Sequence, residues 1–347
     1  MNIVGTVIAV LFIIIISNFV FKKFDILIDQ TNISNHKNFI NGHKITPLSG
    51  GFVFFLTLVF FLPENYQYFT ILIFFIFLTG LLSDLDILHS PSFRIIFQII
   101  IIVVYLFLFD NFVSSIRIDF FDNLLNIFFI KLFFTSFCLL VLINGTNFID
   151  GVNTLVIGYF ILVASNILYL TEVNNLDLDI LLVSTCLISL VIIYIFNFFG
   201  KIYLGDGGAY LISFVISVTL IKFHNENYLV SPYYIVALLW YPAYENLFSI
   251  IRKKILKKPP STPDNEHLHQ LIYLYLNKSF NINKNLSNPL SGLLVCLYNL
   301  FYFFFILGHF KYYHTTILVY SILFNVLFYN FLYFLLKKKL IHNKNNG

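Results

Sequence analysis

Residues 124–170 read LLNIFFIKLFFTSFCLLVLINGTNFIDGVNTLVIGYFILVASNILYL. Two apolar runs, 124–143 and 153–170, flank one polar block, NGTNFIDGVN. Each run approaches the roughly 20 residues a helix needs to cross a bilayer. The unit is therefore an apolar span, a short polar break and a second apolar span. The same alternation extends in both directions from here. Apolar runs at roughly 2–21, 48–62, 68–82, 95–109, 124–143, 153–170, 180–198, 209–223, 231–251, 290–309 and 315–336 predict about eleven membrane-spanning helices. Composition agrees: 59% of the 347 residues are apolar and 11% charged. A soluble domain carries roughly 25% charged residues, and here almost nothing is left over for a polar surface. The expected fold is an all-α, polytopic bundle integral to the membrane, with the whole chain, 1–347, as a single transmembrane domain. The first segment lacks a small-residue cleavage site and reads as a retained first helix. Cys138, Cys186 and Cys296 lie in apolar runs with no paired spacing, which points to buried structural thiols.

Orientation follows from the distribution of basic residues. Loops after the odd-numbered spans hold Lys22, Lys23, Lys37, Lys44, Arg94, Lys201 and the run Arg252–Lys258, and the tail adds Lys337, Lys338 and Lys339. The opposite side has only Arg117, Lys131, Lys222 and Lys311. This asymmetry predicts an N-terminus facing out and a cytoplasmic C-terminal tail.

Five unusual polar segments then fall on the predicted cytoplasmic side: HKITPLSGG (43–51), GLLSDLDILHSPSFR (80–94), NGTNFIDGVNTL (144–155), GKIYLGDGGAYL (200–211) and PDNEHLHQL (263–271). Acids at membrane helix ends are costly unless they face water, protein or an ion. Asn144, Asn147, Asp150 and Asn153 recur at steps of three, which makes successive members neighbours on one helix face. Gly145 and Gly151 admit another group closely. Such oxygens suit a hard cation or a sugar nucleotide; the plain alternative is an Asn-rich helix cap. Gly205-Asp206-Gly207-Gly208 opens a span, where backbone N–H groups favour phosphate and Asp206 can hold Mg²⁺; a loop turn with an N-cap explains the string equally well. His267 and His269 face the same way if the segment is extended. They suit phosphate better than zinc, since nothing nearby completes a zinc ligand set. The basic run before them reads most simply as a lipid anchor.

Taken in order, the five segments resemble the polyprenyl-phosphate N-acetylhexosamine-1-phosphate transferases of glycosyltransferase family 4, over nearly the whole chain. The resemblance rests on His43 and Lys44 before Pro47 and Gly50-Gly51; on Gly80, Asp84, Ser90-Pro91 and Arg94; on Asn144, Asn147, Asp150 and Gly151; on Gly205, Asp206 and Gly208; and on His267 and His269. Three positions depart from the family pattern. Ser83 stands where the first acid of an Asp-Asp pair is expected, with Asp86 out of register; Asn153 replaces a frequent Asp; and Gln270 replaces a last His.

The resemblance implies transfer of a sugar-1-phosphate, of the N-acetylhexosamine class, from a UDP-sugar to undecaprenyl phosphate with release of UMP. The setting would be the inner (cytoplasmic) membrane, with the active site on its cytoplasmic face and a surface glycan such as O-antigen or capsule as the product pathway. Asp84, Asp150 and His267 are the catalytic candidates. Asp206 with Asn147 would hold Mg²⁺, with Mn²⁺ as a substitute. Lys44, Arg94, Asn144, Asn153, Gly205 and His269 would bind substrate. The expected partners are the two substrates and membrane lipid, without nucleic acid, and a homodimer is compatible. The competing readings are a non-catalytic paralogue that binds lipid phosphate, suggested by Ser83, and a transporter, whose polar residues would cluster near the bilayer midplane.

Overall fold

The structure, a computed structural model, describes residues 3–28, 46–257, 259 and 266–345, without the side chains of 307–310 and 342–345. It is all-helical. The helices are α1 (Ile3–Phe24), α2 (Gly50–Phe61), α3 (Gln67–Asp84), α4 (Pro91–Phe109), α5 (Asp119–Leu125), α6 (Phe128–Ile149), α7 (Leu155–Asn174), α8 (Ile180–Phe198), α9 (Gly205–Glu226), α10 (Pro232–Ile255), α11 (Leu268–Ser279), α12 (Lys284–Leu307) and α13 (Thr315–Asn345). Among the described residues the only non-helical pairing is an isolated antiparallel bridge between Ile28 and Pro47. Among the described residues nine helices are long and apolar enough to cross a membrane, so the protein is a multi-pass membrane protein. Helix α2 is apolar but only 12 residues long, and α10 carries Glu245, Arg252, Lys253 and Lys254 inside its bounds.

Each predicted span coincides with a helix, but two boundaries differ informatively. The run 124–143 breaks near Asn126, and α6 then continues through Asn144 and Asn147 to Ile149. Residues 144–149 of the polar block are thus the closing turns of a spanning helix, while 150–153 turn out of it, so Asn153 does not share the expected helix face. The sequence reading also missed the short helices α5 and α11. Both are too short and too polar to register as spans.

Large apolar side chains face outward on most helices, among them Phe12, Phe107, Phe129 and Phe301. That is the arrangement expected where lipid replaces water as the solvent. Helix α9 is the exception and is buried along nearly its whole length. It forms the axis around which α2, α3 and α6 pack.

The two ends of the bundle are knit separately. At one end Asn111 donates to the Val218 carbonyl (2.8 Å), Asn225 to that of Phe112 (2.7 Å) and Arg117 to that of Tyr313 (3.1 Å). At the other end the Tyr203 N–H donates to the Pro47 carbonyl (2.9 Å), and the N–H groups of Gly50 and Gly51 donate to Tyr203 (2.9 Å) and Leu204 (3.1 Å).

That second end is where glycine is required. A methyl at Gly51 would run into the backbone of Gly208, and one at Gly80 into the backbone of Gly207. Helices α2, α3 and α9 therefore meet main chain against main chain, the close approach that small residues permit between membrane helices. Gly80→Ala should lower the thermal unfolding midpoint of the detergent-purified protein, at an overpacking cost of about 1–3 kcal/mol. An unchanged midpoint would contradict the close contact.

Candidate functional site

The first corner of the site is built where α3 ends, α4 begins and α9 begins. Gly205 has φ +77°, a left-handed conformation that glycine adopts without penalty. The turn brings the start of α9 over the end of α3. There the Asp84 carboxylate accepts the N–H groups of Asp206 (2.9 Å) and Gly207 (3.1 Å). A helix N-terminus has unsatisfied N–H groups and a partial positive charge, and both favour an anion. The anion bound at this one is the protein's own Asp84. The phosphate expected at the GDGG backbone is therefore replaced by an internal carboxylate, and Gly207 and Gly208 are turned into the helix packing.

Asp206 itself points the other way. Arg94, in the first turn of α4, reaches one oxygen of its carboxylate at 3.0 Å. The Ser83 hydroxyl donates to the same oxygen at 2.8 Å, and Arg94 also donates to Ser83 at 2.7 Å. The side chains of Arg94 and Asp206 are 19% and 23% exposed, so this ion pair opens to solvent. Asp86 adopts φ +53° just beyond α3 and is exposed. Its N–H closes the helix end on the Ser83 carbonyl (3.0 Å), and it takes no part in the corner.

The second corner lies where α6 passes into α7. Asn144 donates to Gln98 of α4 at 3.1 Å, which ties it to the helix that carries Arg94. Asn147 and Asp150 are half-buried at the end of α6. The Asn153 side chain donates to the Asn197 carbonyl at 3.0 Å, while its N–H donates to Asn288 at 2.7 Å. Thr154, with φ +72°, is a genuine outlier for a β-branched residue. It is held by hydrogen bonds to Asn197 (2.6 Å) and to the Pro289 carbonyl (2.9 Å). Strain retained in this way marks positions the surrounding structure over-determines.

The third corner is the histidine segment. His267 is the N-cap of α11 and His269 lies inside that helix. The segment is thus helical where extended chain was expected, yet the two rings still stack at 5.6 Å with planes 13° apart. The ring of Phe148, on the last turn of α6, lies 5.6 Å from that of His267. Gly151 leaves room for the His269 ring, since a side chain there would meet its Nε2 at 2.5 Å. Absence of a side chain at 151 is what joins the second and third corners. His269 is wholly buried, and neither of its ring nitrogens has a hydrogen-bond partner among the described residues. Burial pushes its pKa down to about 3, so it is a neutral ring at physiological pH and can donate only one N–H.

Positive charge at this corner comes from residues read earlier as a lipid anchor. Arg252 and Lys253 are buried. Arg252 bonds the Glu266 carbonyl and, at 3.2 Å, the Tyr333 hydroxyl. Lys253 lies over the Phe148 ring at 5.4 Å. Lys254 and Lys257 are exposed. His43 and Lys44 lie outside the described residues.

The structure therefore brings Asp84, Arg94, Gly205 and Asp206 into one corner, and Gly151, His267 and His269 into another. Asn144, Asn147, Asp150 and Asn153 lie on the segments between them. Missed from the sequence were Glu245, Tyr329, Gln98, Asn197 and Asn288. The acid inside a predicted span, Glu245, was the one available signal, since intramembrane charges are rare and functional by default.

No three His, Cys, Asp or Glu side chains converge to hold a metal among the described residues. The donors nonetheless fit Mg²⁺, which takes one or two carboxylates and completes its shell with water and substrate phosphates. Asp206 supplies such a carboxylate beside open solvent. The structure thus assembles a carboxylate and a guanidinium in one corner, and two histidines with Arg252 and Lys253 in another.

If Asp84 is the cap of α9, Asp84→Ala should destabilise the protein by about 1–2 kcal/mol, and Asp84→Asn, which keeps one acceptor, by less. Equal thermal midpoints for wild type and Asp84→Ala would exclude the capping role.

The profile of glycosyl transferase family 4 matches residues 66–224, the stretch from before α3 to near the end of α9. A probable undecaprenyl-phosphate N-acetylglucosaminyl 1-phosphate transferase of Bacillus subtilis is 28% identical over 134 residues, which is 38% of this chain and 37% of the relative. The chain thus spans about a third of that relative's length. An undecaprenyl-phosphate alpha-N-acetylglucosaminyl 1-phosphate transferase of Thermotoga maritima is 25% identical over 303 residues, covering 84% of this chain and 90% of the relative. The matching family profile and the two relatives support the glycosyltransferase family 4 superfamily for this chain.

Proposed function

We propose that the protein transfers an N-acetylhexosamine-1-phosphate from a UDP-sugar to undecaprenyl phosphate, releasing UMP, at the cytoplasmic face of the inner membrane. The observation that carries this reading is the gathering, at one end of the bundle, of the Arg94–Asp206 corner and the histidine corner. The distribution of Lys and Arg supports that end as the cytoplasmic one. The functions named for the two relatives support the substrate class.

In the proposed reaction the lipid phosphate attacks the β-phosphorus of the nucleotide sugar, and UMP leaves. A phosphate monoester has a second pKa near 6, so at neutral pH the nucleophile is already largely ionised and needs little help from a base. This agrees with Asp84 serving as a fixed cap. Arg94, beside Asp206 at the open corner, would turn its charge-assisted donors to phosphate oxygens. Lys44 is proposed for the same task. His267, His269 and Lys253 would line the diphosphate from the other corner. Asn144, Asp150 and Asn153 would face the nucleotide. Mg²⁺, held by Asp206 and by Asn147 on the neighbouring helix α6, would neutralise charge on the diphosphate and the leaving UMP. The pathway served would be a surface glycan such as O-antigen or capsule.

A second reading draws on Ser83. Because a hydroxyl stands beside Asp206, Arg94 occupies the carboxylate directly, which is the state expected of a paralogue that binds lipid phosphate without turning over. Purified protein given a panel of UDP-N-acetylhexosamines and undecaprenyl phosphate should release UMP and form lipid-linked product with Mg²⁺ and not with chelator. Asp206→Ala should remove this activity by at least about 100-fold, the scale of losing a principal electrostatic group. Absence of turnover with every donor, together with activation by Ser83→Asp, would establish the second reading instead.

A further inference from the structure

Glu245 is a carboxylate with no solvent exposure, placed well inside α10. A buried charge persists in an apolar bundle only when it is paired and hydrogen-bonded. Both of its oxygens are engaged. Oε1 faces His267 Nδ1 at 2.8 Å, and Oε2 accepts from the Tyr329 hydroxyl at 2.7 Å. The three residues come from α10, α13 and the start of α11.

A purely structural role would be to clasp these three helices. Apolar residues of similar volume do that as well or better, because no carboxylate is then taken out of water. What an apolar clasp cannot do is set which nitrogen of His267 carries a proton and which way the ring turns. A carboxylate can only accept. It therefore fixes Nδ1 as the donor and directs the Nε2 edge away from Glu245. The ring is then held between Phe148, at the end of α6, and His269, which abuts Gly151. His267 is thus oriented with respect to the segment that carries Asp150.

We propose that Glu245 is a positioning residue for His267, with Tyr329 holding the far oxygen of the carboxylate. The proposal rests on the transferase function given above and extends it to two residues that touch no substrate. Glu245→Gln is the informative change because it keeps shape and burial. An amide can present either oxygen or NH₂ to Nδ1. The carboxylate that can only accept is thereby lost, and the protonated-Nδ1 tautomer of His267 is no longer enforced.

The test uses the full-length protein in detergent or nanodiscs, with Glu245→Gln, Tyr329→Phe, His267→Ala and the two double variants with His267→Ala. Glu245→Gln should lower kcat by about 10- to 100-fold, the cost of removing the partner behind a working imidazole. KM for the UDP-sugar should stay within about threefold. In the His267→Ala background the same change should cost less than about twofold, since the two residues act as a unit. Tyr329→Phe should show a smaller loss with the same dependence on His267, and it carries the cycle if Glu245→Gln does not fold.

¹⁵N-histidine spectra supply a readout that needs no turnover. The His267 signal, identified by its loss in His267→Ala, should show protonated Nδ1 in wild type and an added share of the Nε2-protonated tautomer in Glu245→Gln. An unchanged spectrum, or a loss of kcat equal with and without His267, would overturn the positioning role. An inactive wild type whose spectrum still responds to Glu245→Gln would overturn the transferase reading and leave the pair standing.

Discussion

Contact of main chain on main chain at the start of α9 sets the geometry of everything else at this end of the bundle. Gly207 and Gly208 meet Gly80 and Gly51 where any side chain would collide with backbone. Asp84 then receives the N–H groups that this helix start would otherwise leave buried and unpaired. With the helix ends locked at this spacing, Asp206 and Arg94 have one place to meet, at the open edge of the corner. Glycine at these positions is therefore a condition for the acidic corner, since it lets three helices converge closely enough to place it.

The second and third corners depend on the same logic of absent side chains. Gly151 lets the buried His269 ring close on the end of α6, and Gly145 lets α6 lie against the backbone of α10 at Pro242. Charge is then distributed unevenly between the corners. One has Asp84, Asp206 and Arg94 near solvent. The other has neutral His269 with Glu245, Arg252 and Lys253 buried behind it. One corner thus carries a partly exposed ion pair, and the other buried cations beside two histidine rings.

Much of this was legible in the sequence because membrane spans and Gly–acid–His punctuation are local signals. Every predicted span found a helix, and the steps of three at Asn144, Asn147 and Asp150 do lie on or at the end of one. Less legible was what depends on side-chain direction. Nothing in GDGG distinguishes N–H groups offered to a ligand from N–H groups taken by a carboxylate 122 residues before Asp206. HLHQ reads as extended chain beside prolines but enters α11, where the Gln270 side chain accepts the His267 N–H at 3.1 Å. Arg252 and Lys253 look like part of one basic run, yet helical periodicity turns them inward and leaves Lys254 and Lys257 outside. Glu245 was hidden in an apolar average, although its charge alone singled it out.

The central claim is that the corners form one site for a metal-bound nucleotide diphosphate. The most direct measurement is an experimental structure with UDP-N-acetylglucosamine and Mn²⁺, with manganese located by its anomalous signal. The account predicts manganese coordinated by Asp206, with Arg94 moved from that carboxylate to a phosphate oxygen and the diphosphate facing the His267–His269 segment. Manganese away from Asp206, or nucleotide bound elsewhere with the Arg94–Asp206 pair intact, would contradict it.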